Sequence, residues 1–164
     1  SERQFNPDPV PDNMIRHIVE SGLKAPSAGN IQPWKFIIVK NPKIKADLAD
    51  AAFGQKFVGE APIVIVVLAE PNRSGMRYGN RGHDLYCIQD TAAAVQNILL
   101  ATTALGLGAC WVGAFNEDAA SSVLGLSRNF RPVAMIPIGY RKKAAEIRSP
   151  RKYRSWDEVV SVIE

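Results

Sequence analysis

Cysteine is scarce in this 164-residue chain: Cys87 and Cys110 are the only two, with no CxxC and no Cys/His ligand spacing around them. That argues against a disulfide framework and a zinc site, and leaves two thiols that behave as core or half-buried groups. Histidine is equally thin, since His17 and His83 have no serine, cysteine or aspartate at a recognisable motif spacing. GxSxG, HExxH and the P-loop pattern are absent. The side-chain machinery of a hydrolase, a zinc protease or a P-loop enzyme is therefore missing. Long apolar runs are lacking too: the longest, residues 61–69 with Pro62 inside it, is about half of a membrane span. The opening Ser1-Glu2-Arg3-Gln4-Phe5-Asn6-Pro7 has no apolar stretch of the signal-peptide kind, which points to a cytoplasmic protein. An enzyme of this composition takes its reactive chemistry from a cofactor.

What is present suits one ordinary core. At 46% hydrophobic, residues 1–164 are expected to form a single domain, with no repeat or linker to divide them. The net charge of +4 is concentrated between Arg141 and Arg154, where Arg141, Lys142, Lys143, Arg148, Arg151, Lys152 and Arg154 face only Glu146. A basic stretch on a near-neutral body is either an anion site or a solvated loop. Nucleic acid is not the expected partner, because no aromatic platform or recognition motif accompanies it.

Hydrophobic spacing predicts the elements. Ile15, Ile18, Val19 and Leu23 mark a helix that starts after Pro11 and stops before Pro26. Trp34–Val39 reads as a strand, residues 44–53 as a helix, and residues 63–68 as a strand buried on both faces. Residues 71–82 hold three glycines, one proline and three arginines without periodicity, and read as a loop. Residues 84–105 predict a long helix, apolar nearly all round, which suits the core of the domain or of a dimer. A strand over 109–115, a short helix over 118–124 begun by Asn116 or Asp118, a strand over 133–138, a basic loop and a terminal helix complete the chain. By element order alone, this is an α/β layered domain with a central sheet covered by helices.

Gly106-Leu-Gly108-Ala-Cys-Trp-Val-Gly113 is not a dinucleotide fingerprint, because it runs from helix to strand and has Trp111 at the third glycine position. The segment Pro26-Ser27-Ala28-Gly29-Asn30-Ile31-Gln32-Pro33-Trp34 is more informative. It is stiff and presents polar side chains in a fixed geometry between a helix and a strand; by physics alone it is either a binding segment or a firm connection.

PSAGNIQPWKFIIV resembles the PSxxNxQPWxFxVV signature of the FMN-dependent nitroreductase family. Four further stretches fit in order. Ser1-Glu2-Arg3-Gln4-Phe5 is similar to the end of the family's RRSxRxF opening, and residues 54–64 to its GQxxVxxAPVV stretch. Asp90 to Asn97 with Gly106, Gly108 and Trp111-Val112-Gly113 follow its long helix and glycine turn, and Pro137-Ile138-Gly139-Tyr140 with Arg154-Ser-Trp-Asp-Glu-Val-Val follow its end. The resemblance implies an α+β fold, with a central, mostly antiparallel sheet flanked by helices, in an interlocked homodimer holding FMN at the interface. It places a further helix and an arginine pair ahead of Ser1. It assigns Ser1 and Arg3 to the flavin phosphate and pyrimidine edge, and Pro26, Ser27, Ala28 and Asn30 to contacts from the other subunit. Gln55 is assigned to the pyrimidine end, and Trp111, Val112 and Gly113 to the strand against the ring. Lys152 and Arg154, with Arg151 as the alternative register, are assigned to the phosphate. Arg3, with Lys56 as a second candidate, would stabilise the reduced ring. The implied activity is a two-step exchange from NADH or NADPH through FMN, whose N5 carries the hydride, to a nitro compound, quinone or similar small acceptor. Dehalogenation, flavin degradation or flavin binding without turnover are the alternatives on the same scaffold.

Overall fold

The computed structural model describes residues 1–142 and 152–163. Its centre is a four-stranded sheet in the order β1-β2-β4-β3, formed by β1 (Trp34–Val39), β2 (Ile63–Ala69), β4 (Arg131–Gly139) and β3 (Gly108–Ala109). Every pairing is antiparallel. β2 takes a central place because all seven of its side chains are buried, as an uninterrupted β-branched run requires. Trp34 pairs with Ala69 and Val39 with Val64 on one side, while Ile63 pairs with Ile138 on the other. The register slips between Val67 and Leu68, so that Val133 is the extra residue of a bulge in β4.

Alternation along β2 decides which helices cover which face. Val64, Val66 and Leu68 pack with Leu48, Ala52, Val58 and Ala120, which come from α2 (Pro42–Ala51) and its end, α3 (Lys56–Glu60) and α6 (Glu117–Val123). Ile63, Ile65 and Val67 pack with Ile15, Ile18, Val95 and Ile98, from α1 (Asp12–Leu23) and α5 (Cys87–Ala104). Helices thus cover both faces, as element order implies, and the sheet is antiparallel, as the resemblance implies. Asn41 caps α2 by accepting from the backbone N–H groups of Lys43 and Ile44, and Asn116 caps α6 by accepting from that of Ala119. The Lys45 ammonium is buried and donates to the carbonyl oxygens of Ala61 and Pro62, and burial lowers its pKa.

Three expectations are corrected. Residues 71–82 are not a loop: α4 (Pro71–Arg81) starts with Pro71 in its first turn and breaks at Gly79, where φ is 57°. The chain then turns back through a π-helical turn, Gly82–Tyr86, into α5, making a helical hairpin. Two of the three glycines that suggest a loop, Gly75 and Gly82, are packing residues: a Cβ on Gly75 would stand 3.3 Å from the His83 Cβ, and one on Gly82 would collide with the Ser74 carbonyl group, 2.8 Å from its carbon. The strand expected over 109–115 is paired in β3 only over Gly108–Ala109, and Val112 makes an isolated bridge to Met135. Pro137 explains the gap: Cys110 donates to its carbonyl oxygen, but proline has no N–H to return the bond. The helix expected over 84–105 has a buried face, Cys87, Asp90, Thr91, Ala94, Val95, Ile98 and Thr102, and exposes Leu100 on another. The short helix α3 is an addition to the expected elements. α7 (Trp156–Val159) is the terminal helix, held by a capping box between Ser155 and Glu158. Of the basic loop, Lys143, Arg148 and Arg151 lie outside the described residues.

Candidate functional site

The residues singled out in the sequence form three groups. The first gathers at the β3/β4 edge. Residues 1–6 form a strap there: Glu2 N–H donates to Ala109 O at 2.7 Å, Asn6 N–H donates to Tyr140 O at 2.9 Å, and Phe5 bridges Arg141. The Glu2 carboxylate accepts the N–H groups of Arg3 and Gln4, which fixes the start of the strap. Arg3 lays its guanidinium over the Phe57 ring, 5.6 Å from the centroid. Two residues before Phe57, the Gln55 amide donates to Ala52 O at 2.9 Å and to Ala114 O at 3.0 Å. Both amide hydrogens are engaged, so Oε1 is the atom that Gln55 can offer a ligand. Ala114 follows Trp111, Val112 and Gly113. Val112 is buried, Trp111 is 41% exposed, and a Cβ on Gly113 would meet nothing within 4 Å. Arg3, Gln55 and the 111–113 backbone therefore border one open surface, while the Ser1 side lies at the strap's exposed end.

The second group, Pro26, Ser27, Ala28 and Asn30, precedes β1 at the opposite edge of the sheet. Its loop is tightly determined. Ser27 Oγ accepts the Gln32 N–H at 2.9 Å, and Gly29, Asn30 and Gln32 all have positive φ, near 55°. Ala28 N–H donates to Asp90 Oδ1 at 3.1 Å. From the other side, Arg73 Nε donates to Ile31 O at 2.9 Å and Arg77 Nη1 to Gly29 O at 3.2 Å. Sequence reasoning misses these anchors. Asp90 is visible there only as a motif position, and the arginines lie in a segment that reads as a loop.

Along α5, Asp90 and Ala104 are separated by about 21 Å at 1.5 Å per residue. Gly108 and the strap lie at that far end, so the two groups do not share one surface in a single chain. A hollow of about 500 Å³, lined by residues including Asp47, Phe53, Asn116 and Val123, contains none of the matched residues. The third group, Lys152 and Arg154, is exposed, and Arg154 Nη2 donates to Glu158 O at 2.9 Å within its own segment.

Asp90 is 7% exposed, and its Oδ2 has no partner among the described residues. Burial raises its pKa, against the opposing effect of the Ala28 N–H. Folding therefore favours the protonated acid more than the unfolded chain does. That preference stabilises the fold below the ordinary aspartate pKa and is lost as pH rises through the raised value. An asparagine side chain at this position would mimic the neutral acid at every pH. Melting of Asp90→Asn should match the parent near pH 3 and exceed it as the pH rises above the ordinary aspartate range, the gain levelling off beyond the raised value. A melting difference that stays constant across that range would show that Asp90 is ionised without penalty.

Comparisons with known proteins bear on the family. The Nitroreductase family model matches residues 1–56 and 52–140. An NADH dehydrogenase of Thermus thermophilus is 32% identical over 85% of this chain and 82% of its own. A protein of Archaeoglobus fulgidus whose name joins NADH dehydrogenase and NAD(P)H nitroreductase is 35% identical over 87% of this chain and 80% of its own. Among solved structures, a nitroreductase family protein from Clostridium novyi superposes with a TM-score of 0.79 at 32% identity, covering 87% of this chain and 80% of that one.

Proposed function

The chain belongs to the nitroreductase family and is an NAD(P)H-dependent oxidoreductase, and from that premise we propose that it works as an FMN-dependent homodimer. In this reading NADH or NADPH delivers hydride to the bound flavin and leaves, and a nitro compound, quinone or similar small acceptor then takes the electrons at the same place. The observation that carries the proposal is the division of the matched residues between opposite edges of one sheet. A second copy would bring Pro26, Ser27, Ala28 and Asn30 to the surface bordered by Arg3, Gln55 and residues 111–113. Leu100, 60% exposed on α5, supports an apolar interface.

The residues present fit the flavin by their chemistry. Ser1, Lys152 and Arg154 supply hydroxyl and cationic donors for a phosphate dianion. Gln55 Oε1 is an acceptor suited to the ring's pyrimidine N–H. The unobstructed backbone at Gly113 allows a flat ring to lie close, with Trp111 and Val112 beside it. The Arg3 charge, with that of Lys56 beside Gln55 as a second candidate, favours negative charge on the pyrimidine side of the reduced ring. Residues 1–164 act as one unit in this reading. The cytoplasm is the compartment proposed, and the two free, buried cysteines suit a reducing environment. No helix among the described residues is long and apolar enough to cross a membrane.

One titration tests the proposal. Adding FMN to flavin-free protein should produce the bound-flavin absorbance, a dimer by light scattering, and FMN-dependent oxidation of NADH or NADPH in the presence of a quinone. Protein that ignores FMN would end the cofactor assignment. A monomer that binds FMN tightly would end the shared site, and FMN binding without oxidation of either nucleotide would leave a carrier, not an oxidase of pyridine nucleotides.

A further inference from the structure

The hairpin of α4 and the turn after it carry Arg73, Arg77 and Arg81 at four-residue intervals, with Tyr78 and Tyr86 among them. All three guanidiniums are held by neutral groups. Arg73 and Arg77 donate to the carbonyl oxygens of Ile31 and Gly29, and Arg81 Nε donates to the Tyr86 hydroxyl at 2.9 Å. Arg77 lies 5.5 Å from the Tyr78 ring centroid and Arg81 5.3 Å from that of Tyr86, and the two rings meet edge to face at 5.3 Å. None of the three arginines takes part in the ion pairs found among the described residues, and the nearby Asp84 pairs with His83.

Three cations on one hairpin are thus held in place without an ion-pair partner among the described residues. Each guanidinium has five N–H donors and commits one in these bonds, so most remain for an anion. The cluster rests directly on residues 29–31, beside the loop that the proposed function assigns to the flavin. Among the reactants of the established activity, the pyridine nucleotide necessarily carries phosphates next to a flat heterocycle. Arginine forks suit the first and tyrosine rings the second.

We propose that Arg73, Arg77 and Arg81, with Tyr78 and Tyr86, form the subsite that takes the phosphates of the adenosine half of the pyridine nucleotide. The inference rests on the proposed placing of the flavin beside residues 27–30. Selection of the hydride donor then takes place on α4, away from the reacting ring.

Calorimetric titration with 5′-ADP and 2′,5′-ADP, which lack the nicotinamide, reads this subsite without turnover. At least one fragment should bind the parent protein, and Arg81→Gln should weaken it about tenfold to a hundredfold. Arg81 makes no bond to residues 29–31, so this variant keeps the loop anchors in place; Arg77→Gln is the second variant. Tighter binding of 2′,5′-ADP would identify the ribose 2′-phosphate as the group held, tighter binding of 5′-ADP the pyrophosphate, and equal binding the 5′-phosphate common to both; all three support the proposal. In steady state, Arg81→Gln should raise KM for NADH or NADPH by a similar factor with kcat held. The phosphate-free donor 1-benzyl-1,4-dihydronicotinamide is the reference, and an equal loss with it would overturn the proposal. Failure of both fragments to bind the parent, or unchanged binding in both variants, would overturn it too. A parent that oxidises no donor at all defeats the oxidoreductase mechanism instead, and the fragment titration still decides the arginines.

Discussion

Replacing Arg154 with alanine is expected to weaken FMN about tenfold to a hundredfold while leaving riboflavin binding near the parent value. The estimate is that of one charge-assisted hydrogen bond, about 1.5–3 kcal/mol. Riboflavin differs from FMN by the phosphate alone, so it isolates the grip from the ring contacts. The internal bond from Arg154 to Glu158 O uses a single donor of the guanidinium, and the Ser155–Glu158 capping box keeps α7 started without it. Local order should therefore survive the substitution. Arg154→Lys, which keeps the charge and loses the fork, should fall between the two. If fluorescence titration shows equal losses for FMN and riboflavin, or none for either, Arg154 is not the phosphate ligand, and the same pair of ligands on Lys152→Ala and Arg151→Ala identifies the register.

The largest expected effect on stability comes from Gly82→Ala. An alanine in a helix ordinarily gains about 1 kcal/mol over glycine, and Gly82 has helical dihedrals, φ −65° and ψ −47°. Here the sign reverses. The added methyl would collide with the Ser74 carbonyl oxygen and stand 2.8 Å from its carbon, both backbone atoms that cannot rotate away. Forcing the two arms of the hairpin apart should cost about 1–3 kcal/mol, a fall in Tm of roughly 2–12 °C for a chain of this size. The damage should spread to residues 29–31 through Arg73 and Arg77, so flavin affinity should fall with the melting temperature. A variant that melts at or above the parent would show that the hairpin is looser than described.

Much of the fold was legible because the strands and helices repeat their apolar residues cleanly. The β-branched run of β2 and the Ile15/Ile18 spacing of α1 leave little choice. Residues 71–82 mislead for a physical reason: Gly75 and Gly82 serve close helix packing, which a single sequence does not distinguish from the flexibility of a loop. The early end of β3 depends on Pro137, a residue of the partner strand. At the site, the polar loop 26–34 stands out by composition, whereas its anchors do not. Asp90 is 62 positions from Ala28, and pairing across that distance is a property of the fold. The residues of the proposed phosphate grip are legible as a charge cluster, and their register is not.

Lys45 gives the molecule an uneven sensitivity to ionic strength. Its ammonium is buried and held by the dipoles of two carbonyl groups instead of a carboxylate, so dissolved ions have little to screen. The three Lys/Arg ion pairs among the described residues, Lys40–Asp12, Lys43–Asp47 and Arg131–Glu117, and the His83–Asp84 hydrogen bond are all substantially exposed. Such pairs contribute at most about 1 kcal/mol each. Electrolyte therefore acts weakly on the folded body. The cations with no ion-pair partner among the described residues, on α4 and in the closing segment, would act on the proposed phosphate-bearing ligands through solvent, where the screening distance is roughly 8 Å at physiological strength. In rising salt this protein would release its phosphate-bearing ligands well before it lost its shape, and one dial would separate occupancy from folding.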